Sequence, residues 1–264
     1  MKSIRYTLIT GASSGLGREF SVQCATMGMN IIMIALPGSN MASIAQNLAA
    51  EYKIATKVFE FDITDSILLI EKMNHITENF EVDFLINNAG IGGTASITES
   101  SLEAMDRILQ VNIRSMVSIT QMLLPHLLKH SQSHILNISS MAAFTPIAYK
   151  TVYPASKAFI SSFSLGLREE LQDSNLSVSV VYPGPIMTNS GVSIRIMGQG
   201  ARGRIGLLAT ADIVRIALKQ TRLNKAVIIP GLWNKINHRL MGILPLGLKL
   251  RIVSRAVKKE IAIK

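Results

Sequence analysis

A doubly wound parallel α/β sheet in three layers, α/β/α, with a helical C-terminal extension, is the architecture this sequence predicts. Three observations predict it. Short apolar runs of strand length alternate with longer stretches of helical periodicity along most of the 264 residues. One run, residues 30–35, is apolar throughout after its first residue, as a strand covered on both faces must be. A glycine-rich turn joins the first apolar run to the first helical stretch, where such sheets bring their backbone close to a ligand.

In order, residues 4–10 read as the first strand and 15–27 as the helix after it. A second strand at 30–35 leads to a helix at 41–52, and a third at 56–61 to a helix at 66–78. Strand four, at 83–87, precedes a long helix at 109–130, in which Pro125 removes a backbone donor and invites a bend. Strand five (134–138), a helix (152–172) and strand six (177–182) continue the alternation, and 211–222 and 226–229 add one more helix and strand. Pro154 falls in the first turn of its helix, where backbone donors have no partner in any case, with Thr151 as the expected cap. Right-handed crossovers between such strands make a doubly wound sheet that binds ligands at the strands' carboxyl ends.

No linker, repeat or low-complexity tract divides residues 1–264, so one domain is expected, with 190–230 as a substrate lid plus last helix and strand. Residues 231–264 read as a basic amphipathic tail of the same domain. Cys24 is the single cysteine, which excludes an internal disulfide and, inside a helix without basic neighbours, a reactive thiolate. The opening Met1-Lys2-Ser3-Ile4-Arg5 lacks a signal-peptide apolar region, and no run of about 18 apolar residues reads as a span. A reducing cytoplasm is the expected compartment. The net charge of +10 is unevenly spread: residues 1–189 carry −3 and residues 190–264 carry +13. No nucleic-acid motif accompanies that charge, and His75, His126, His130, His134 and His238 have no metal-ligand spacing, so neither nucleic acid nor metal is expected.

Thr10-Gly11-Ala12-Ser13-Ser14-Gly15-Leu16-Gly17 lies between the first strand and the first helix. Glycines there allow a tight turn and close approach to phosphate, while the helix N-terminus offers free amides, which together suit a dinucleotide. No Walker lysine follows, which disfavours a nucleoside triphosphate. Tyr153 and Lys157 are four apart and share one helix face, so a phenol that ordinarily titrates near ~10 can sit beside an ammonium. A positive neighbour favours the phenolate and suits the tyrosine to proton transfer. Taken alone, the same spacing equally describes a surface or packing pair.

With these residues in order, the chain resembles the short-chain dehydrogenases/reductases. The loop at 10–17 matches their T-G-x-x-x-G-x-G pattern, and Asn87-Asn88-Ala89-Gly90 their N-N-A-G element. Asn112 matches the asparagine of the next long helix, Ser140 stands thirteen residues before Tyr153 as in the family, and Pro183-Gly184 with Thr188 resembles the segment beside the nicotinamide. The resemblance spans residues 10–188 and is weak beyond about 190.

It implies a Rossmann-type fold, a homodimer or homotetramer, and an NAD(P)-dependent oxidoreductase that interconverts a ketone or aldehyde and an alcohol. Ser140 would orient the carbonyl, Tyr153 act as general acid or base, Lys157 lower the tyrosine pKa, and Asn112 hold a water through its backbone carbonyl. The cofactor would lie on Gly11, Ser13, Ser14, Gly15, Leu16, Gly17, Asn88, Ala89 and Gly90. Asp62 and Ile63 would meet its adenine side, and Tyr153, Lys157, Pro183, Gly184, Ile186 and Thr188 its nicotinamide side. Residue by residue, plainer readings stay open: Ser140 as a polar strand end, Asn112 as a satisfied helix residue, Asp62 as a cap before the third helix.

After strand two no acid occurs between Glu19 and Glu51, which disfavours NAD, although Leu36 stands where NADP-binding relatives often carry arginine. Ser13, Ser14, Ser39 and Asn40 can take a 2′-phosphate, so NADP is preferred over NAD. Ile91, Met141, Phe144, Ile147, Ile186 and Met187 suggest an apolar substrate pocket. The basic tail suits either peripheral contact with an anionic membrane, as in lipid reduction, or packing over the pocket or a neighbouring subunit with a solvated basic face. Arg195, Arg202 and Arg204 could also attract an acidic substrate handle. A cofactor-binding sensor or scaffold without turnover is the rival class, which an intact serine, tyrosine and lysine set opposes.

Overall fold

The computed structural model of the chain describes residues 4–186 and 206–261. Its strands are β1 Arg5–Thr10, β2 Asn30–Ala35, β3 Thr56–Glu60, β4 Glu81–Asn87, β5 Ser133–Ile138, β6 Leu176–Val181 and β7 Val227–Ile228. All pair in parallel in the order β3-β2-β1-β4-β5-β6-β7. The winding reverses between β1 and β4, and a crevice opens at such a switch point beyond the strands' carboxyl ends.

Strand side chains alternate between two cores, as a period of two requires. Ile9, Met33, Phe84 and Leu136 pack beneath α1 Gly15–Thr26, α2 Met41–Tyr52 and α7 Thr210–Arg222. Leu8, Ile32, Leu85 and Ile135 pack on the other face, beneath α3 Ser66–Asn79 and α5 Met116–Leu127. The three-layer arrangement is therefore the predicted one. Cys24 is fully buried in the first core, and burial pushes its thiol up to about 12, which leaves it unreactive.

Four local expectations are corrected. The single helix expected at 109–130 is α4 Leu102–Leu109, a π-helical segment Gln110–Ser115, and then α5, within which Pro125 is accommodated. It starts earlier than expected because the Ser101 hydroxyl accepts the Ala104 amide at 3.2 Å, a serine cap directly ahead of the helical spacing of Leu102, Met105, Ile108 and Leu109. Thr151 is helical and makes no capping bond before α6 Val152–Glu170. The cap of α3 is Asp65, whose carboxylate accepts the Ile67 and Leu68 amides, and not Asp62.

The tail forms two helices, α8 Leu232–Ile243 and α9 Leu246–Ile261. Leu244 between them is extended, as the residue before Pro245 must be. Asn234 fastens α8 to the body: its buried amide donates to the Gly206 carbonyl at 3.0 Å and to the Pro230 carbonyl at 2.9 Å. Among the described residues no helix is long and apolar enough to cross a membrane.

Candidate active site

The glycine loop is folded by its neighbours across the sheet. The Thr10 hydroxyl accepts the amides of Asn88 and Ala89, each at 3.0 Å, and the Asn88 side chain donates to the carbonyls of Thr10 and Gly11. Gly11 and Gly15 hold positive φ, where a side chain is strained. A Cβ on Gly17 would lie 1.9 Å from the Gly11 carbonyl oxygen, so the first turn of α1 rests directly on the loop.

Ser14 sits at the cap position of α1 without placing its oxygen on an amide, and no acid occupies the first turn. This helix end keeps its donors and positive dipole for an outside anion, beside Ser13 and Leu16 in the same loop. The residues fit a dinucleotide diphosphate.

On the adenine side Asp62 and Ile63 are both held by bonds within the protein. Asp62 is half-buried: burial pushes its carboxyl up, but bonds from Thr64 and the Arg107 guanidinium outweigh that and hold it below the usual range. Arg107 reaches the carboxylate at 2.7 Å, and Thr64 donates through its amide at 2.9 Å and its hydroxyl at 2.8 Å. The side chain is thus already engaged. Ile63 is buried next to it, its carbonyl accepting from the Ser115 hydroxyl.

Sequence reasoning missed Glu60 here. Its carboxylate accepts from the Ser39 hydroxyl at 3.0 Å and the Met41 amide at 3.3 Å, so an acid supplied by β3 stands beside the end of β2. The parallel register that pairs Ala35 with Glu60 brings it there, and no local spacing announces it.

Ser140, Tyr153, Lys157 and Asn112 are gathered beyond β5. Ser140 starts a short 3₁₀ turn, Met141–Phe144, its hydroxyl accepting the Ala142 amide at 3.1 Å, and its side chain favours the ionised form of the Tyr153 phenol. The Tyr153 ring lies over Gly92, where an added Cβ would be 3.4 Å away. Lys157 is buried, donates to the Ile138 carbonyl at 2.9 Å and holds its nitrogen 5.9 Å from the Tyr153 ring centroid.

Burial pushes the lysine down to about 8 and pushes the tyrosine up, with the Ser140 hydrogen bond working against the latter. The ammonium is turned to a backbone carbonyl and is itself poorly solvated.

Asn112 lies in the π-helical segment, a feature frequent at functional sites. It is fully buried, exchanges two bonds of 2.9 Å with the backbone of Ile91, and donates to the Ser156 hydroxyl at 2.9 Å. It thereby ties the loop after Gly90 to the helix that carries Tyr153 and Lys157. Beneath it, Asn87 donates to Asn137 and Thr120, and Asn137 to Ser164, a buried polar chain joining β4, β5 and α6.

After β6, the Pro183 carbonyl accepts the Met141 amide at 3.0 Å, and a Cβ on Gly184 would meet the Asn234 side chain at 2.7 Å. Ile186 is half-buried at the edge of the described residues. Thr188, Met187, Arg195, Arg202 and Arg204 lie outside them. Asn234, the clamp behind Gly184, is a second residue that local motifs did not reveal.

The family model described as short chain dehydrogenase matches residues 5–197. An uncharacterized oxidoreductase of Staphylococcus saprophyticus is 30% identical over 185 residues, covering 70% of this chain and 79% of that one. A very-long-chain 3-oxoacyl-CoA reductase of Anas platyrhynchos is 30% identical over 189 residues, 69% of this chain and 60% of that longer protein. Among solved structures, a bulky-bulky ketone specific alcohol dehydrogenase from Comamonas testosteroni superposes with a TM-score of 0.75 at 27% identity, covering 91% and 94% of the two chains. A 7β-hydroxysteroid dehydrogenase shares the fold with a TM-score of 0.85 at 22% identity, over 94% of this chain and 96% of the other. By the matched span and these likenesses, the chain belongs to the short-chain dehydrogenases and is an NAD(P)-dependent oxidoreductase of alcohols and ketones.

Proposed function

We propose that the protein reduces a ketone flanked by bulky hydrophobic groups, with Tyr153 as the proton donor. The observation that carries this reading is the gathering of Ser140, the Tyr153 phenol and a buried Lys157, its nitrogen 5.9 Å from the tyrosine ring centroid, at one place beyond β5. A bound nicotinamide dinucleotide supplies the hydride received by the carbonyl carbon. The Ser140 hydroxyl donates to the carbonyl oxygen and fixes its position. The Tyr153 phenol then gives its proton to that oxygen, leaving alcohol and phenolate. The Lys157 ammonium stabilises the phenolate as it forms, and Asn112 keeps the loop at Ile91 seated against the helix that bears both residues.

An apolar substrate is supported by Ile91, exposed at 38% in the loop after Gly90, and by half-buried Met141, Phe144 and Ile147 in the segment after Ser140. The activities named for the Anas platyrhynchos reductase and the Comamonas testosteroni dehydrogenase support the same class. The test is cofactor consumption with a panel of bulky and small ketones; turnover of small polar carbonyls alone would overturn the substrate class. The homodimer or homotetramer implied by the resemblance belongs to the same proposal and is read by sedimentation equilibrium.

A pH dependence follows from the lysine. Lys157 is an ammonium below its pKa of about 8, whereas the raised Tyr153 stays protonated well above that. Reduction is therefore expected to be level below about pH 8 and to fall about tenfold per unit above it as the ammonium is lost. Lys157→Met should abolish that limb in the residual kcat/KM profile. A wild-type rate unchanged through pH 8 to 10 would exclude Lys157 as the group.

NADP remains the preferred cofactor from the missing acid after β2, and Glu60 limits the margin. Its charge beside Ser39 repels a 2′-phosphate and suits a ribose diol. Glu60→Gln is expected to raise the NADPH-to-NADH ratio of kcat/KM by about three- to tenfold, the effect of one nearby exposed charge. An unchanged ratio would place the phosphate elsewhere.

A further inference from the structure

Helix α8 has two apolar-capable faces and uses only one of them for the fold. Asn234, His238 and Met241, spaced i, i+4, i+7, turn towards the body: Asn234 is buried, and the His238 ring lies 4.0 Å from that of Phe144. On the outward side Leu232, Trp233, Ile236, Leu240 and Ile243 form one stripe, and all five are exposed, from 37% at Ile236 to 82% at Ile243. Exposed Lys235 and Arg239 run along its edge.

Helix α9 repeats the plan. Val257 is buried and the Ser254 hydroxyl accepts the Ala148 amide, while Leu248 and Ile252, exposed at 46% and 48%, lie beside exposed Arg251, Arg255 and Lys258. Nowhere from residue 213 to 259 does the sequence contain an Asp or Glu.

We propose that α8 and α9 form a docking surface for the anionic leaflet of a lipid bilayer. Apolar side chains on this scale are held towards solvent by helices whose other faces are fastened to the fold, so the stripe is presented in a fixed direction. Its cations need countercharge, and the tail itself offers none before Glu260. A second copy apposed through the same face would set cations against cations, since a two-fold interface pairs each patch with itself. Anionic headgroups instead supply the missing charge to each Lys and Arg near the surface. An exposed tryptophan among leucine and isoleucine, edged by Lys and Arg, matches a helix lying in the interface plane. The proposal does not depend on which carbonyl is reduced.

Trp233 is the single tryptophan of the chain, so intrinsic emission reports on this face alone. The full chain is mixed with vesicles of phosphatidylcholine and with vesicles of phosphatidylcholine and phosphatidylglycerol. A blue shift and co-sedimentation with the mixed vesicles, weakened by salt and much smaller with phosphatidylcholine alone, are expected. The double variants Leu232→Ser/Leu240→Ser and Lys235→Gln/Arg239→Gln keep the reporter and should each weaken vesicle binding by about tenfold or more. Their cofactor affinity and urea midpoint should stay at the wild-type values, since the altered residues are exposed. No shift and no pelleting in the wild type, or variants that pellet equally, would overturn the proposal. So would a blue shift that grows with protein concentration without lipid, which would give the face to a second copy.

Discussion

Replacing Tyr153 by phenylalanine is expected to lower kcat for ketone reduction by about 10²–10⁴-fold while leaving cofactor affinity within about twofold. The substitution is chemically narrow. The ring rests over Gly92 and would do so equally without its hydroxyl, so packing is kept. What disappears is the hydroxyl and the proton it carries. Because burial pushes the phenol up, the native residue enters the reaction as an acid, and phenylalanine has nothing to give. Steady-state cofactor oxidation read beside a fluorescence titration of cofactor binding separates the two effects. A variant that turns over within tenfold of wild type would remove Tyr153 from the proton step.

Gly17→Ala should cost more than any other single methyl in the cofactor loop. The new Cβ would stand 1.9 Å from the Gly11 carbonyl oxygen and 2.5 Å from the Asn88 side-chain nitrogen. The closer atom is backbone and belongs to a residue already held at positive φ, so relief requires moving the loop itself. Overpacking of this kind destabilises by about 1–3 kcal/mol and occasionally more. Cofactor affinity is expected to fall at least about a hundredfold, because backbone that must approach a phosphate is displaced by the order of an ångström. Gly166→Ala is the matched control: it lies on exposed helix surface with nothing within 4 Å, and alanine there should be neutral or stabilising by about 0.5–1 kcal/mol. Urea midpoints compare the two, and equal midpoints and affinities would mean that the loop adapts freely.

The parts of this molecule legible in its sequence are those whose physics is local. β2 reads as a strand because both of its faces are covered, and α2 shows its bounds because Met41, Ala45 and Leu48 repeat on a buried face. Helix α4 escapes the same reading although Leu102, Met105, Ile108 and Leu109 keep a helical spacing: it is only eight residues long, and Ile108 alone of it is buried. Gly11, Gly17, Asn112, Ser140 and Lys157 are legible because each belongs to a short pattern with its own chemistry. Glu60 and Asn234 are not, since each matters only through a contact made by sheet register or by a helix returning from the far end of the chain. The titration of Tyr153 is illegible for a related reason. A four-residue spacing states which charges are neighbours and nothing about how much water surrounds them.

The Asn234 side chain has a consequence for how the tail can be studied. One amide joins α8 to the carbonyls of Gly206 and Pro230 and fills the space beside Gly184, so it fastens both flanks of residues 187–205. Cutting the chain before α8 would remove that fastener together with the outward stripe. A truncated protein would then lose the proposed membrane-docking face and the seating of the segment after β6 in one stroke, and its defects would be inseparable. The tail is better regarded as a keystone that happens to carry a painted outer face: the paint can be stripped residue by residue, but the stone has to stay.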